Sequence, residues 1–164
     1  KNIKMLQGGI EGWKAIQGEV TQEVPKKTIT EFTLSKSPSM KYAISKEEVV
    51  TALSKKVILV DTRSFDEFSG KQQKKGASKA GRIPNSIHID WAEAINFHGN
   101  QKIKSVETLT EFYAKKLKAT KNDSIILYCH SGVRSAHTTF VLTQLLGFKN
   151  VKKLRWLLDR MELF

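Results

Sequence analysis

Three short, largely apolar runs, at residues 57–60, 87–89 and 124–128, alternate along the chain with stretches of helical spacing, and that alternation restricts the fold most. Runs rich in Val, Ile and Leu without a polar break suit strands covered on both faces. Between them, Ser45 with Glu48 three positions on forms a capping box ahead of Val49, Val50 and Leu53. Residues 64–69 read as a short helix stopped by Gly70, and 71–81 as a polar loop. A further helix is expected over 105–118, with Leu109, Phe112, Tyr113 and Leu117 making most of one apolar face. Another is expected over 134–146, ended by Gly147 and apolar nearly all round at Phe140, Val141, Leu142, Leu145 and Leu146. The pattern predicts an α/β fold, a central parallel sheet with helices on both faces. Ligands in such sheets bind beyond the carboxyl ends of the strands, and Cys129 follows the strongest predicted strand at that edge.

Composition removes several function classes. A chain of 164 residues with 40% apolar content supports one substantial core. Its 28 Lys and Arg against 16 Asp and Glu give a formal charge of +12, which attracts anions in general. The basic residues are spread as pairs such as Lys26-Lys27, Lys55-Lys56, Lys74-Lys75 and Lys115-Lys116, without interleaved aromatics, so no specific nucleic-acid partner is expected. No apolar run approaches the roughly 20 residues of a membrane span. Cys129 is the single cysteine, which excludes an internal disulfide and leaves the thiol free for chemistry. One Cys and four scattered His offer no metal-ligand spacing, and no cofactor is implied. The sequence starts at Lys1 rather than Met, which is compatible with a removed targeting segment, so the compartment stays open between cytoplasmic and periplasmic.

The chemistry concentrates in Cys129-His130-Ser131-Gly132-Val133-Arg134-Ser135. This segment lies between a buried strand and a helix start, where several backbone N–H groups can converge on one point as an anion cradle. Those donors, the positive end of the helix and Arg134 favour the thiolate of Cys129, a usable nucleophile. The same cradle would hold a persulfide and receive an anionic donor. A lone cysteine is more often an inert buried thiol. Its place before a Gly turn, with Arg134 five positions on, argues for the reactive alternative.

The chain resembles the rhodanese family over about residues 44–151. The loop from Cys129 to Ser135 resembles that family's active-site loop. Asp61-Thr62-Arg63-Ser64-Phe65-Asp66-Glu67-Phe68-Ser69-Gly70 resembles its D-x-R-x-x-x-E-[YF]-x-G signature, and Gly81-Arg82-Ile83-Pro84-Asn85-Ser86-Ile87-His88-Ile89 its G-H-I-P-G-A-x-x-I stretch. Leu146-Gly147-Phe148-Lys149-Asn150-Val151 resembles the L-G-[FY]-x-x-V that follows the active-site helix. The resemblance implies a sulfurtransferase that moves a sulfane sulfur from an anionic donor, thiosulfate or 3-mercaptopyruvate, to cyanide or a small-molecule or protein thiol. It implies Cys129 as the sulfur carrier, the N–H groups of His130, Ser131, Gly132, Val133, Arg134 and Ser135 as the cradle, and the Arg134 side chain as a help in binding the donor. Asp61 and Arg63 are expected to organise the site edge through buried hydrogen bonds. Glu67 stands where thiosulfate- and mercaptopyruvate-specific members often carry arginine, and Arg82 where the family usually has His. His130 is expected to be a loop side chain facing solvent, and His137 a helix residue. Cysteine phosphatases share a related fold, but their loops hold one more residue between Cys and Arg than the four found here, a wider ring suited to a phosphoryl group. A silent rhodanese binding module is the other alternative, and such modules commonly lack the cysteine that this chain keeps.

Two ends depart from that pattern. Residues 1–24 read as a strand end and turn (3–9) followed by a short helical piece around Trp13; Leu6-Gln7-Gly8-Gly9-Ile10-Glu11-Gly12-Trp13 resembles the pattern closing a rhodanese domain. They are therefore expected to be the tail of a first domain, with 25–41 an interdomain linker and 42–164 the catalytic domain, as in tandem sulfurtransferases. After Val151 the family's closing Y-D-G-[SG]-W-x-E-W is missing. A one-base insertion in the A-rich lysine codons would account for it: residues 153–163, back-translated with suitable synonymous codons and shifted by one base, spell N-Y-D-G-S-W-I-E-W-S. The alternative is an amphipathic helix over 154–163.

Overall fold

The computed structural model describes residues 4–154 apart from 32, 34, 35 and 38. Five strands form one sheet: β1 (Ala43–Ile44), β2 (Ile58–Asp61), β3 (Ile87–His88), β4 (Ile125–Tyr128) and β5 (Val151–Leu154). All neighbours are parallel, in the order β1-β5-β4-β2-β3. The central pairing aligns Asp61 with Tyr128, so β2 and β4 deliver Thr62 and Cys129 side by side at the carboxyl edge.

Successive strand residues point to opposite faces, and the two cores follow that alternation. Val60, Ile125, Leu127 and Val151 pack on one face with Leu109, Tyr113 and Leu117 of helix α4 (Val106–Leu117). Leu59, Ile126, Tyr128 and Leu154 pack on the other with Val49 of helix α2 (Lys46–Leu53). The helix starts are chemically specified. Ser45 and Glu48 close the capping box on α2, Ser64 caps α3 (Phe65–Ser69), and Ser105 caps α4.

Several expectations are corrected in detail. The helix predicted over 134–146 starts at Val133 as α5 (Val133–Phe140) and widens into a π-helical turn at Val141–Leu145. Thr138, Thr139 and Thr143 donate their hydroxyls to carbonyls four residues back along this segment, a competition that loosens helical register. Gly147, at φ 71°, provides the left-handed exit. Residues 4–6 form no strand and turn into α1 (Gly9–Ala15); Ile3 lies outside the described residues. From Gly18 to Tyr42 the described residues carry neither helix nor strand. β1 and β5 have no counterpart in the sequence reading: β1 is two residues long, and Val151-Lys152-Lys153-Leu154 carries lysines at its centre. Leu154 belongs to β5, so the alternative helix over 154–163 does not begin there; the remainder of that segment, and of the frameshift expectation, lies outside the described residues. No helix among the described residues is long and apolar enough to cross a membrane.

Candidate active site

The site stands where β2 and β4 end, with the chain running on from β2 to β3 at one flank of the sheet and from β4 to β5 toward the other, the switch point at which doubly wound folds place ligands. Tyr128 ends β4 fully buried, its hydroxyl taking the Ile83 N–H at 3.2 Å and lying 2.9 Å from Ser86 Oγ. Burial pushes this phenol well above its ordinary range. The Thr62 amide and hydroxyl both donate to the Tyr128 carbonyl at 3.0 Å, which locks the two strand ends together. Cys129 therefore leaves a fixed point, only 3% exposed.

Beyond it the loop folds back over the sulfur. Gly132 adopts φ 87°, a left-handed conformation open to glycine, and starts α5. That turn aims the Gly132 N–H at Cys129 Sγ at 3.1 Å, and the Ser135 N–H reaches the same atom at 3.5 Å. The thiol in turn lies 3.5 Å from Ser135 Oγ, whose hydrogen goes to the Gly132 carbonyl at 3.1 Å. Among the described residues no other amide donates to the sulfur, so the predicted cradle is narrower at Sγ than the stretch from His130 to Ser135. Ser131 is exposed, and Val133 is 72% exposed and points away from the core.

His130 corrects the expectation of a solvent-facing side chain. It is buried, with Nδ1 unpartnered, because the chain is still passing through the sheet edge one residue after Cys129. His137 does lie in α5, packed edge-on against Trp91 with ring centroids 5.5 Å apart, and burial lowers its pKa from the ordinary 6.5.

Two ion pairs frame the loop. Arg63, 5% exposed, grips fully buried Asp61 through Nε at 2.9 Å and Nη2 at 2.6 Å, and donates again to the Gly81 carbonyl at 2.7 Å. Such planar, doubly bonded contacts suit the guanidinium fork. The second pair is Arg134 with Glu67: Nη1 to Oε2 at 2.5 Å and Nη2 to Oε1 at 2.9 Å, with Ser64 Oγ also on Oε2 at 3.1 Å. Burial pushes the Glu67 carboxyl up, but the Arg134 hydrogen bonds and charge, with Ser64, outweigh it and hold the group at about 2. The Arg134 guanidinium, expected from sequence to be available to an anionic donor, is thus committed to a carboxylate. It is raised above its ordinary value by hydrogen bonding to Glu67 against desolvation, with the neighbouring Cys129 sulfur contributing.

Sequence reasoning missed this partnership, since nothing in a chain of residues marks two opposite charges 67 positions apart as touching. It also missed Lys153, whose Nζ lies 3.8 Å from where a Cβ on Gly132 would stand, and Asp90, whose carboxyl burial raises while Arg134 opposes that rise. Beside Asp90 opens a cleft of about 590 Å³ lined by Glu93, Phe97, His98 and Lys104 among others.

Comparison with known proteins places this geometry in a family. Residues 45–156 match the family model described as "Rhodanese-like domain". A "Putative thiosulfate sulfurtransferase" of Saccharopolyspora erythraea is 38% identical over 157 residues, covering 92% of this chain and 54% of the relative. One of the same name from Mycolicibacterium smegmatis is 36% identical over 158 residues, covering 93% and 55%. The chain thus spans about half the length of the curated relatives it matches. Among solved structures, an EanB variant in complex with ergothioneine superposes with a TM-score of 0.77 at 22% identity, over 93% of this chain and 38% of that one. Wild-type EanB gives 0.75 at 22% identity, over 92% and 36%, a likeness of fold. With the five-stranded parallel sheet, the loop after β4 and the match over most of its length, the chain belongs to the rhodanese-like family.

Proposed function

We propose that this protein is a sulfurtransferase in which Cys129 carries a sulfane sulfur from thiosulfate or 3-mercaptopyruvate to cyanide or a thiol. The observation that carries the reading is the Gly132 N–H at 3.1 Å from Cys129 Sγ, joined by the Ser135 N–H, at the start of α5. Oriented amides at a helix start stabilise an anionic sulfur without reorganising during reaction. The family and the names of the relatives from Saccharopolyspora and Mycolicibacterium support it.

The Cys129 thiolate attacks the outer sulfur of thiosulfate. The S–S bond of the donor breaks, sulfite departs with the electron pair, and a Cys129 persulfide remains. With 3-mercaptopyruvate the bond that breaks is C–S, and the carbon takes the pair and a proton as pyruvate. Cyanide carbon, or an acceptor thiolate, then attacks the outer sulfur and returns Cys129 as thiolate, so no external oxidant or reductant enters. On this reading residues 42–164 are the catalytic domain, 25–41 a linker and 1–24 the tail of a first domain. Gln7 Oε1 accepts the Ile103 N–H at 3.1 Å and ties that tail to the catalytic domain.

The test is cyanide-dependent thiocyanate formation with each donor, run beside Cys129→Ser, with mass spectrometry of donor-treated protein. Thiocyanate from the parent alone, and a labile adduct of about 32 Da on Cys129, are expected. Equal rates in the serine variant, or phosphate release from an aryl phosphate instead, overturn the reading.

A further inference from the structure

We infer that Glu67 is a specificity-determining residue that holds both terminal nitrogens of Arg134, withholds that guanidinium from a donor's second negative charge, and so favours monoanionic sulfane-sulfur donors over dianionic ones. The inference rests on the persulfide reading above and deepens it. The chain as a whole carries a formal charge of +12. Arg134, five residues beyond the sulfur-bearing Cys129, is matched by the two oxygens of Glu67, and both side chains are largely buried, at 18% and 7% exposure. Lys153 approaches at Gly132. The remaining pair, Arg63 with Asp61, closes on itself.

An incoming donor meets the backbone amides and a guanidinium already bound by Glu67. Thiosulfate brings two negative charges and an aryl thiosulfonate one, although both present a terminal sulfane sulfur to the same nucleophile. Attack on the thiosulfonate breaks its S–S bond and releases the arenesulfinate, as attack on thiosulfate releases sulfite, so the transferred atom is the same and donor charge is the main contrast. Each further negative charge feels the Glu67 carboxylate once more in a partly desolvated setting, where a unit charge a few ångströms away matters.

The experiment compares kcat/KM for thiosulfate and for benzenethiosulfonate in the full chain, in Glu67→Gln and in Glu67→Asp. Glu67→Gln keeps the shape and removes the charge. It is expected to shift the thiosulfate-to-thiosulfonate ratio by about three- to tenfold toward thiosulfate, less at high salt. Glu67→Asp keeps the charge and is expected to hold the parent ratio even where absolute rates fall. An unchanged ratio in Glu67→Gln, or the same shift in Glu67→Asp, overturns the inference while leaving sulfur transfer standing. If the parent forms no persulfide adduct with either donor, the proposed function falls and this inference with it.

Discussion

Ser135 presents both its amide and its hydroxyl to Cys129 Sγ, each at 3.5 Å, from a fully buried position six residues along the chain. A single residue thus spans the turn, holding the sulfur from one side while its hydroxyl grips the Gly132 carbonyl at 3.1 Å. The loop's shape and the sulfur's environment are thereby coupled.

Removing that hydroxyl is expected to slow sulfur loading without unfolding the protein. Ser135→Ala keeps the amide and loses both contacts of the hydroxyl, with Cys129 Sγ and with the Gly132 carbonyl, at about 1 kcal/mol each, roughly a five- to thirtyfold effect. Stopped-flow measurement of persulfide formation, set against iodoacetamide alkylation of Cys129, reads it. Unaltered rates in both would place the hydroxyl outside the chemistry.

The Asp61–Arg63 pair is expected to matter for folding. Arg63→Met leaves the fully buried Asp61 carboxylate without its fork and is expected to cost about 3–5 kcal/mol. Joining it to Asp61→Asn removes the stranded charge and should recover much of that loss. Denaturant midpoints of the two single variants and the double variant measure the coupling. A double variant as unstable as the sum of the singles contradicts it.

Acid should destabilise the protein in two stages. His137 has a folded pKa below its ordinary 6.5, so its neutral form is the stable one; this contribution is complete above pH 6.5 and fades as pH falls through the lowered value. Glu67, held at about 2 against an ordinary 4.5, contributes fully above pH 4.5 and loses its share as pH drops toward 2. Urea unfolding across an acid series is expected to show His137→Gln flattening the upper stage and Glu67→Gln the lower. Parallel curves for parent and variants would remove these groups from the acid response.

Much of the fold was legible in the residues because its signals are local. Ser45 with Glu48, Ser64 and Ser105 mark helix starts through hydrogen bonds three residues long, and the structure forms each one. The apolar run 125–128 became the central strand, buried on both faces, because nothing in it tolerates water. The edge strands β1 and β5 were not legible: a two-residue strand and a lysine-bearing one become strands through their partners.

The same division holds in the site. Sequence alone determined that Cys129 would stand between a buried strand and a glycine turn, since strand, turn and helix are encoded by neighbours within a few positions. Only the tertiary structure decided where the charges go, because ion pairing is set by distances through space. It turned His130 inward and gave Arg134 to Glu67 across 67 residues of chain. Backbone geometry is specified locally and electrostatics globally, so the position of Cys129 could be read from the chain and the charge around it could not.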